Sequence, residues 1–101
     1  MSKKLDLPAL DGWRKHAGGI GAAPGKYGYT ITFQGVTWSI EPVSTRYGRH
    51  MGYRLYAFGL PGERTGAFFG PDGKQSAFPK HRSPASACKV ARIVHQVYLR
   101  K

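Results

Sequence analysis

The side chains that could carry acid–base, nucleophilic or metal chemistry are few and lie scattered along the chain. The four histidines show no metal-ligand spacing, and the single cysteine, Cys88, has no second thiolate to work with. No two of the five carboxylates stand at a helical or cross-strand spacing that would make one a general acid and the other a general base. We therefore expect no enzyme activity, no cofactor and no bound metal.

Two catalytic roles stay open at this stage. Cys88 falls in the first turns of a predicted helix, where the helix N-terminus can lower the pKa of a thiol, although a semi-buried thiol in a helix is far more often inert. His50 and His81, each beside an arginine, have side chains suited to RNA cleavage, but the sequence indicates no second acid or base. The lone cysteine also excludes an internal disulfide and fits a reducing cytoplasm.

Arginine interleaved with tyrosine and glycine is the composition that a nucleic-acid-binding loop requires. Arginine neutralises phosphate, tyrosine stacks on bases or packs on sugars, and glycine lets the backbone approach closely. Residues 46–50 have this composition, and two further basic clusters surround His81 and follow the predicted C-terminal helix. The alternative interpretation of both the loop and the helix face is an ordinary solvated surface. The residues that we expect to bind a nucleic acid or another partner are Arg46, Tyr47, Arg49, His50, Arg54, Tyr56, Arg64, Lys80, Arg82, Lys89 and Arg92.

The chain as a whole is strongly basic, and its charge is unevenly distributed. Among 101 residues, 16 are Lys or Arg and five are Asp or Glu, which gives a formal charge of +11 and a pI of about 10.2. Residues 1–42 carry a net charge of +2 and residues 43–101 a net charge of +9. A domain this basic is expected to bind polyanions, of which nucleic acid is the commonest. We expect the surplus cations after residue 42 to form one anion-binding surface.

The clearest structural signal is the alternation of apolar and polar residues on both sides of Gln34-Gly35. Residues 27–33 and 36–41 alternate with a period of two, which is typical of half-buried strands. A two-residue turn pairs Phe33 with Val36 and Ile31 with Trp38, so the apolar side chains of both strands fall on one face. The sequence therefore predicts a β-hairpin in this register.

The rest of the chain adds strands and one helix. Residues 53–58 and 64–69 read as two further strands, with turns at 60–63 and 71–74. Ser83 is a candidate N-cap and Pro84 suits the first helical position of an amphipathic helix that reaches Tyr98. Near the N-terminus, residues 11–16 resemble a short helix with Asp11 as its N-cap.

These elements predict an α+β fold, in which an antiparallel sheet of three to five strands packs against one C-terminal amphipathic helix. Residues 26–101 would form a single basic domain, and residues 1–25 a flexible or short-helical N-terminal segment that either covers the second face of the sheet or leaves it open. The expected core consists of Tyr29, Ile31, Phe33, Val36, Trp38, Ile40, Leu55, Ala57, Val90, Val94 and Val97.

The order of three strands and an amphipathic helix, at residues 37–41, 53–58, 64–69 and 83–98, resembles the AP2-type and integrase arm-binding DNA-binding domains. In those domains the sheet enters the major groove of DNA and the helix packs behind it. The resemblance implies a sheet-mediated contact with DNA. The chain departs from the pattern at residues 70–83, where those domains turn sharply, so no base-reading residue is carried over.

Two functional hypotheses follow. The first is a small, non-enzymatic nucleic-acid-binding protein, with DNA favoured over RNA. The second is a phage- or plasmid-encoded inhibitor, of an anti-defence or host-takeover type, that occupies an acidic or nucleic-acid-binding surface of a protein complex. We expect either one in the cytoplasm, because no apolar run approaches the roughly 20 residues of a membrane span and the N-terminus has no apolar signal region.

Overall fold

The chain folds as a five-stranded antiparallel meander with one helix packed on it, which confirms the predicted α+β class. The computed structural model describes residues 6–17, 25–45, 47–62, 65–76 and 80–99. A 3-10 turn at Leu10–Gly12 precedes the sheet, whose strands are neighbours in chain order. The strands are β1 (Arg14–Ala17), β2 (Tyr27–Phe33), β3 (Val36–Ser44), β4 (His50–Phe58) and β5 (Ala67–Phe69), and the helix is α1 (Pro84–Leu99).

The β2–β3 hairpin has the predicted register. Phe33 pairs with Val36 and Ile31 with Trp38. Gln34 and Gly35 both have positive φ, at 53° and 83°, which is the backbone of the type I′ turn that a two-residue hairpin favours. Because register fixes which side chains share a face, the apolar residues of both strands lie on the side that α1 covers, here called the core face.

The N-terminal region differs from the prediction. Instead of a helix over residues 11–16, the 3-10 turn is followed by β1, which pairs with β2 and sets His16 opposite Gly28. Such a short polar segment gains little as an isolated helix, whereas pairing covers the otherwise exposed edge of β2. The predicted flexible stretch at 18–24 and residues 1–5 lie outside the described residues.

Large buried side chains of the central strands form the core, with Trp38, Leu55 and Phe69 almost fully buried. The helix contributes Ala87, Cys88, Ala91, Val94 and His95, and Val90 and Tyr98 pack at the margin. The predicted core residue Val97 is 48% exposed, so that prediction is wrong. The buried stripe of α1 is rotated from the predicted one towards Cys88 and His95, both of which are buried.

Residues 6–13 pack beside the helix, on the core face. Leu7 and Trp13 are buried there. The Nε of Arg92 donates to the carbonyl of Leu7 (2.8 Å), and the side-chain amide of Gln96 donates to Asp6 (2.6 Å). The described part of the N-terminal segment therefore does not cover the second face of the sheet.

The N-cap of α1 and the turn after β5 are local features that the sequence predicts. The backbone N–H of Ser86 donates to Oγ of Ser83 (3.1 Å), which confirms Ser83 as the N-cap of α1. The turn after β5 closes when the N–H of Gly73 donates to the carbonyl of Gly70 (2.9 Å). β4 begins three residues earlier than predicted, at His50, and β5 is confined to Ala67–Phe69 among the described residues.

In the part of the chain that the structure describes, no helix is long and apolar enough to cross a membrane.

Candidate functional site

The second face of the sheet, here called the open face, carries side chains from all five strands. Residues on this face alternate with the buried ones, because successive side chains of a strand point to opposite sides. Apart from Gly28, which is buried, the described residues of this face are partly or fully exposed. The open face consists of Arg14, His16, Gly28, Thr30, Thr32, Thr37, Ser39, Glu41, Arg54, Tyr56, Phe58 and Phe68.

One half of the open face is aromatic. Tyr56 of β4 and Phe68 of β5 are cross-strand partners, and their ring centroids lie 4.9 Å apart. The guanidinium of Arg54 lies 5.2 Å from the Phe68 ring centroid, in cation–π geometry. Phe58, next along β4 on the same face, is 54% exposed. These four residues are called the aromatic half below.

Glycine at position 66 makes room for this ring cluster. A Cβ built on Gly66 would overlap the phenol group of Tyr56. The Tyr56 ring therefore leans over the backbone just before β5, and its side chain is partly buried although nothing described covers the face. Contact with the backbone at Gly66 restricts the Tyr56 ring, so the aromatic half presents a preorganised surface.

The other half of the open face is polar, and its central contact spans three strands. His16 on β1 and Glu41 on β3 meet above Gly28 on β2, with 3.5 Å between Nε2 of His16 and Oε2 of Glu41. A Cβ at position 28 would collide with the His16 ring and would lie 2.8 Å from Oε1 of Glu41. Any residue other than glycine at position 28 would therefore force the His16 ring and the Glu41 carboxylate to move.

Hydrogen bonds fix the roles of the His16 ring nitrogens. Nδ1 lies 3.0 Å from the carbonyl oxygen of Ala17, which only accepts, so Nδ1 carries a proton. In the neutral ring Nε2 then accepts from the hydroxyl of Thr30 (2.9 Å). The hydroxyl of Ser39 donates to Oε2 of Glu41 (2.9 Å). In the neutral ring Nε2 carries no proton, so Ser39 is the described donor to Glu41 and His16 can donate to it only when protonated.

The cations of the open face are not neutralised by its carboxylate. Arg54 is the cross-strand partner of Glu41, yet its guanidinium turns towards Phe68. Within the described ranges, the one pairing of a basic with an acidic side chain within 4.0 Å is His16–Glu41, in which the histidine is charged only when protonated. Arg14 is exposed at the β1 edge. Arg14 and Arg54 therefore keep their charge available to an anion.

The predicted Arg/Tyr loop lies beyond the end of the open face, between β3 and β4. Arg46 lies outside the described residues. Tyr47 is 87% exposed and Arg49 is exposed as well. The hydroxyl of Thr45 accepts from the backbone N–H groups of both Tyr47 and Arg49, which orders the loop. His50 follows in β4, and among the described atoms its buried Nδ1 has no hydrogen-bond partner.

The other predicted binding residues are divided between surfaces. Arg54 and Tyr56 lie on the open face, in the orientation that the strand pattern predicts. Lys89 and Arg92 lie on α1, on the opposite side of the sheet, and Arg92 is held by the carbonyl of Leu7. The expectation of a single cationic surface is therefore wrong for the described residues, because the helix that carries two of the cations packs on the core face.

The basic cluster around residue 81 is also divided. Lys80 and Arg82 are exposed, but His81 between them is 2% exposed and its Nε2 lies 2.8 Å from the carbonyl of Phe69. His81 is thus a structural residue that ties the chain before α1 to β5. The predicted site residue Arg64 lies outside the described residues.

Burial shifts the pKa of two groups considered for catalysis. Burial raises the pKa of the Cys88 thiol, an effect that nearby Arg92 only partly offsets. Burial lowers the pKa of His50, and the positive charge of Lys26 lowers it further. Among the described residues, no group of three or more His, Cys, Asp or Glu side chains could hold a metal ion.

The contact between His16 and Glu41 was not predicted from the sequence. Their positions in the chain suggest no relation, and the contact exists because β1 and β3 flank Gly28. The β2–β3 register alone places Glu41 beside Gly28. Placing His16 requires β1, which has no apolar alternation to signal a strand.

Comparison of the chain with protein-family models, with curated proteins and with solved structures found no match. The functional assignment therefore rests on the geometry and chemistry of the open face.

Proposed function

We propose that the protein is a nucleic-acid-binding module, without catalytic activity, and that the open face is its binding surface. The observation that carries the proposal is the aromatic half, where Tyr56, Phe58 and Phe68 lie beside an arginine that pairs with no carboxylate among the described residues. Phe58 is exposed and the other two rings are partly exposed, and a contiguous apolar patch of this kind marks an interaction site.

Each part of the open face matches one part of a nucleic acid strand. Aromatic rings stack on bases of any sequence, each contributing about 1–3 kcal/mol. Arg14 and Arg54 neutralise phosphates and release counterions. The row of hydroxyls formed by Thr30, Ser39 and the hydrogen-bonded pair Thr32–Thr37 offers donors and acceptors to sugars and base edges.

The overall charge supports the same proposal. A chain with a formal charge of +11 attracts polyanions from a distance and accelerates their association. The β3–β4 loop, with exposed Tyr47 and Arg49, continues the surface beyond the Glu41 end of the open face. The resemblance to AP2-type domains, which also use a sheet, agrees with this choice of surface.

A charge-matched pair of double variants tests the proposal. Arg14→Ala with Arg54→Ala removes two cations from the open face. Lys74→Ala with Lys89→Ala removes two exposed cations elsewhere, since Lys89 lies on α1 and the turn that holds Lys74 touches Val94 of α1. Affinity for a labelled nine-nucleotide strand is measured by fluorescence anisotropy between about 50 and 200 mM salt, a range over which charge-driven binding weakens strongly.

The open-face double variant is expected to bind at least about tenfold more weakly at 50 mM salt, and its log–log salt slope should fall by about 1.4, because each lost single-strand phosphate contact removes about 0.7. The control double variant should stay within about twofold of the wild type, because distant charges are screened. Equal losses in both variants would contradict the assignment of the open face. Absence of binding to both this strand and its duplex at about 50 mM salt would contradict nucleic-acid binding altogether.

The second candidate function is the protein-binding inhibitor, and one observation favours it. Ile93 and Val97 of α1 are 60% and 48% exposed and lie four residues apart on the side away from the sheet. Such a pair could anchor a protein partner. A 1:1 protein complex that resists nuclease, and that Ile93→Asp abolishes while the Arg14/Arg54 double variant does not, is the result that this function requires.

A further inference from the structure

We infer that the open face binds a single strand and that Glu41 recognises a guanine base in it. The inference rests on the proposed function and adds a ligand class and a specificity-determining residue to it. Glu41 is a carboxylate on the surface that we propose binds a polyanion, and the residues around it would otherwise favour phosphate.

Glu41 is oriented by a hydrogen bond, which the Ser39 hydroxyl donates to its Oε2 (2.9 Å). Gly28 lets the carboxylate lie down across β2. Each carboxylate oxygen has two acceptor positions, so both oxygens can still accept a bond from a ligand. A fixed acceptor of this kind selects a ligand by its donors.

A carboxylate repels phosphate, so a bound strand must present hydrogen-bond donors to Glu41. The donors of a nucleic acid lie on the base edges. In a duplex the Watson–Crick edges are paired and inaccessible, whereas in a single strand they are exposed and proteins read them directly. Position 41 therefore favours a single strand, whose bases can turn towards the sheet.

Guanine is the base whose Watson–Crick edge matches a carboxylate. Its N1–H and N2–H₂ groups are adjacent donors, and they match the two oxygens of one carboxylate. Cytosine and adenine each offer one amine beside a ring nitrogen that accepts, which would face the negative charge. Thymine and uracil offer one N–H between two carbonyls. The mismatched acceptors reject the other bases, as a polar site rejects ligands that leave it unpaired.

The aromatic half lies within reach of other bases of the same strand. Tyr56 is directly opposite Ser39, so Glu41 is its diagonal neighbour across the β3–β4 pair. The Tyr56 ring leans away from Glu41, towards Gly66, whereas the Glu41 carboxylate lies over Gly28. A guanine whose edge meets Glu41 therefore lies beside the aromatic half, and a different base of the strand stacks on its rings.

The test uses four labelled DNA nonamers of thymidine that differ only in the central base, which is guanine, adenine, cytosine or thymine. Wild-type protein is expected to bind the guanine nonamer about tenfold more tightly than the other three, the discrimination typical of one bidentate contact. The variant Glu41→Gln should lose this preference, because an amide presents one acceptor and one donor. Asp72→Asn, which removes the same charge from an exposed turn, should keep it.

Gly28→Ala provides a second variant that leaves Glu41 in the sequence. The added methyl group displaces the ends of two side chains and no backbone atom within the three nearest contacts, so the sheet can form. The preference for guanine should fall with it. Free GMP should compete only weakly, because it lacks the neighbouring phosphates and bases.

The outcomes separate the two proposals. If all four nonamers bind equally well, or if Glu41→Gln keeps the preference, the guanine inference is wrong while the proposed function stands. Tighter binding of the thymidine nonamer paired with its complement, or GMP competing as strongly as the guanine nonamer, would also overturn the inference. If neither the single-stranded nonamers nor the paired nonamer binds at about 50 mM salt, the proposed function itself fails.

Discussion

At the residue scale, one glycine determines what the polar half of the open face can do. Gly28 is buried and its missing side chain is the space in which His16 and Glu41 meet. The Glu41 carboxylate accepts from Ser39 in this space. In the function that we propose, it would weaken phosphate binding but select a base by its donors.

A second residue-scale feature is His95, which is buried in the core and held neutral by its hydrogen bonds. The indole N–H of Trp38 donates to Nδ1 of His95 (3.0 Å), so in this arrangement Nε2 carries the proton and donates to Oε1 of Gln34 (3.0 Å). Burial lowers the pKa of His95 below its ordinary value of 6.5. A proton on Nδ1 would also break the bond from Trp38.

This geometry predicts that the protein is less stable in mild acid. Because the pKa of His95 is lower in the folded state, the unfolded chain binds more protons below pH 6.5. The stability contributed by neutral His95 is complete above that value and is lost as the pH falls from it towards the folded-state pKa. His50, whose pKa is lowered too, acts in the same direction.

The free energy of unfolding, measured by urea denaturation, should therefore be smaller at pH 5 than at pH 7.5. His95→Gln should be less stable than the wild type at pH 7.5 and should show a weaker dependence on pH. A wild-type protein that is equally stable at both pH values would contradict the assignment of His95 as a buried neutral residue.

At the element scale, the helix offers two valines that the sequence alone could not distinguish. Val94 and Val97 both belong to the predicted apolar stripe, but Val94 is 5% exposed and Val97 48% exposed. Val94→Ala should lower the free energy of unfolding by about 1–3 kcal/mol, through lost burial and a residual cavity. Val97→Ala should change it by less than about 0.5 kcal/mol. Equal effects of the two substitutions, measured by urea denaturation, would contradict the observed rotation of the helix.

The elements also differ in how well the sequence predicted them. The β2–β3 hairpin was predictable because its turn, its alternation and its register are all local. The start of α1 was predictable because Ser83 caps it through residues three positions away. β1 was not, since the segment Arg14–Ala17 has no apolar alternation and becomes a strand only by pairing with β2.

The candidate site follows the same division. Arg54, Tyr56 and Phe58 share a face because they are alternate residues of the predicted strand at 53–58. Glu41 was not singled out, because its importance depends on His16 two strands away. An apolar stripe on α1 was predicted correctly, but the buried face of the helix is rotated towards His95. A histidine can lie on this face because Trp38 and Gln34 satisfy both of its ring nitrogens.

At the scale of the whole molecule, the topology separates the basic residues that the sequence places together. The outer side of α1 is separated from the open face by the body of the helix. The helix diameter of about 10 Å is close to the Debye length at 0.1 M salt. Lys89 on α1 therefore contributes little to an anion bound on the open face. A net charge of +11 attracts polyanions to the protein, while the arrangement of side chains determines where they bind.

The most direct measurement is an ¹H–¹⁵N NMR titration of the protein with the thymidine nonamer that has a central guanine. We predict that the largest backbone shift changes occur along the open face, at Thr30, Ser39, Glu41, Arg54, Tyr56 and Phe68, with small changes at Lys89, Ile93 and Gln96 on the outer side of α1. Shift changes concentrated on α1, with the open-face signals unmoved, would contradict the central claim that the protein binds nucleic acid through its open sheet face.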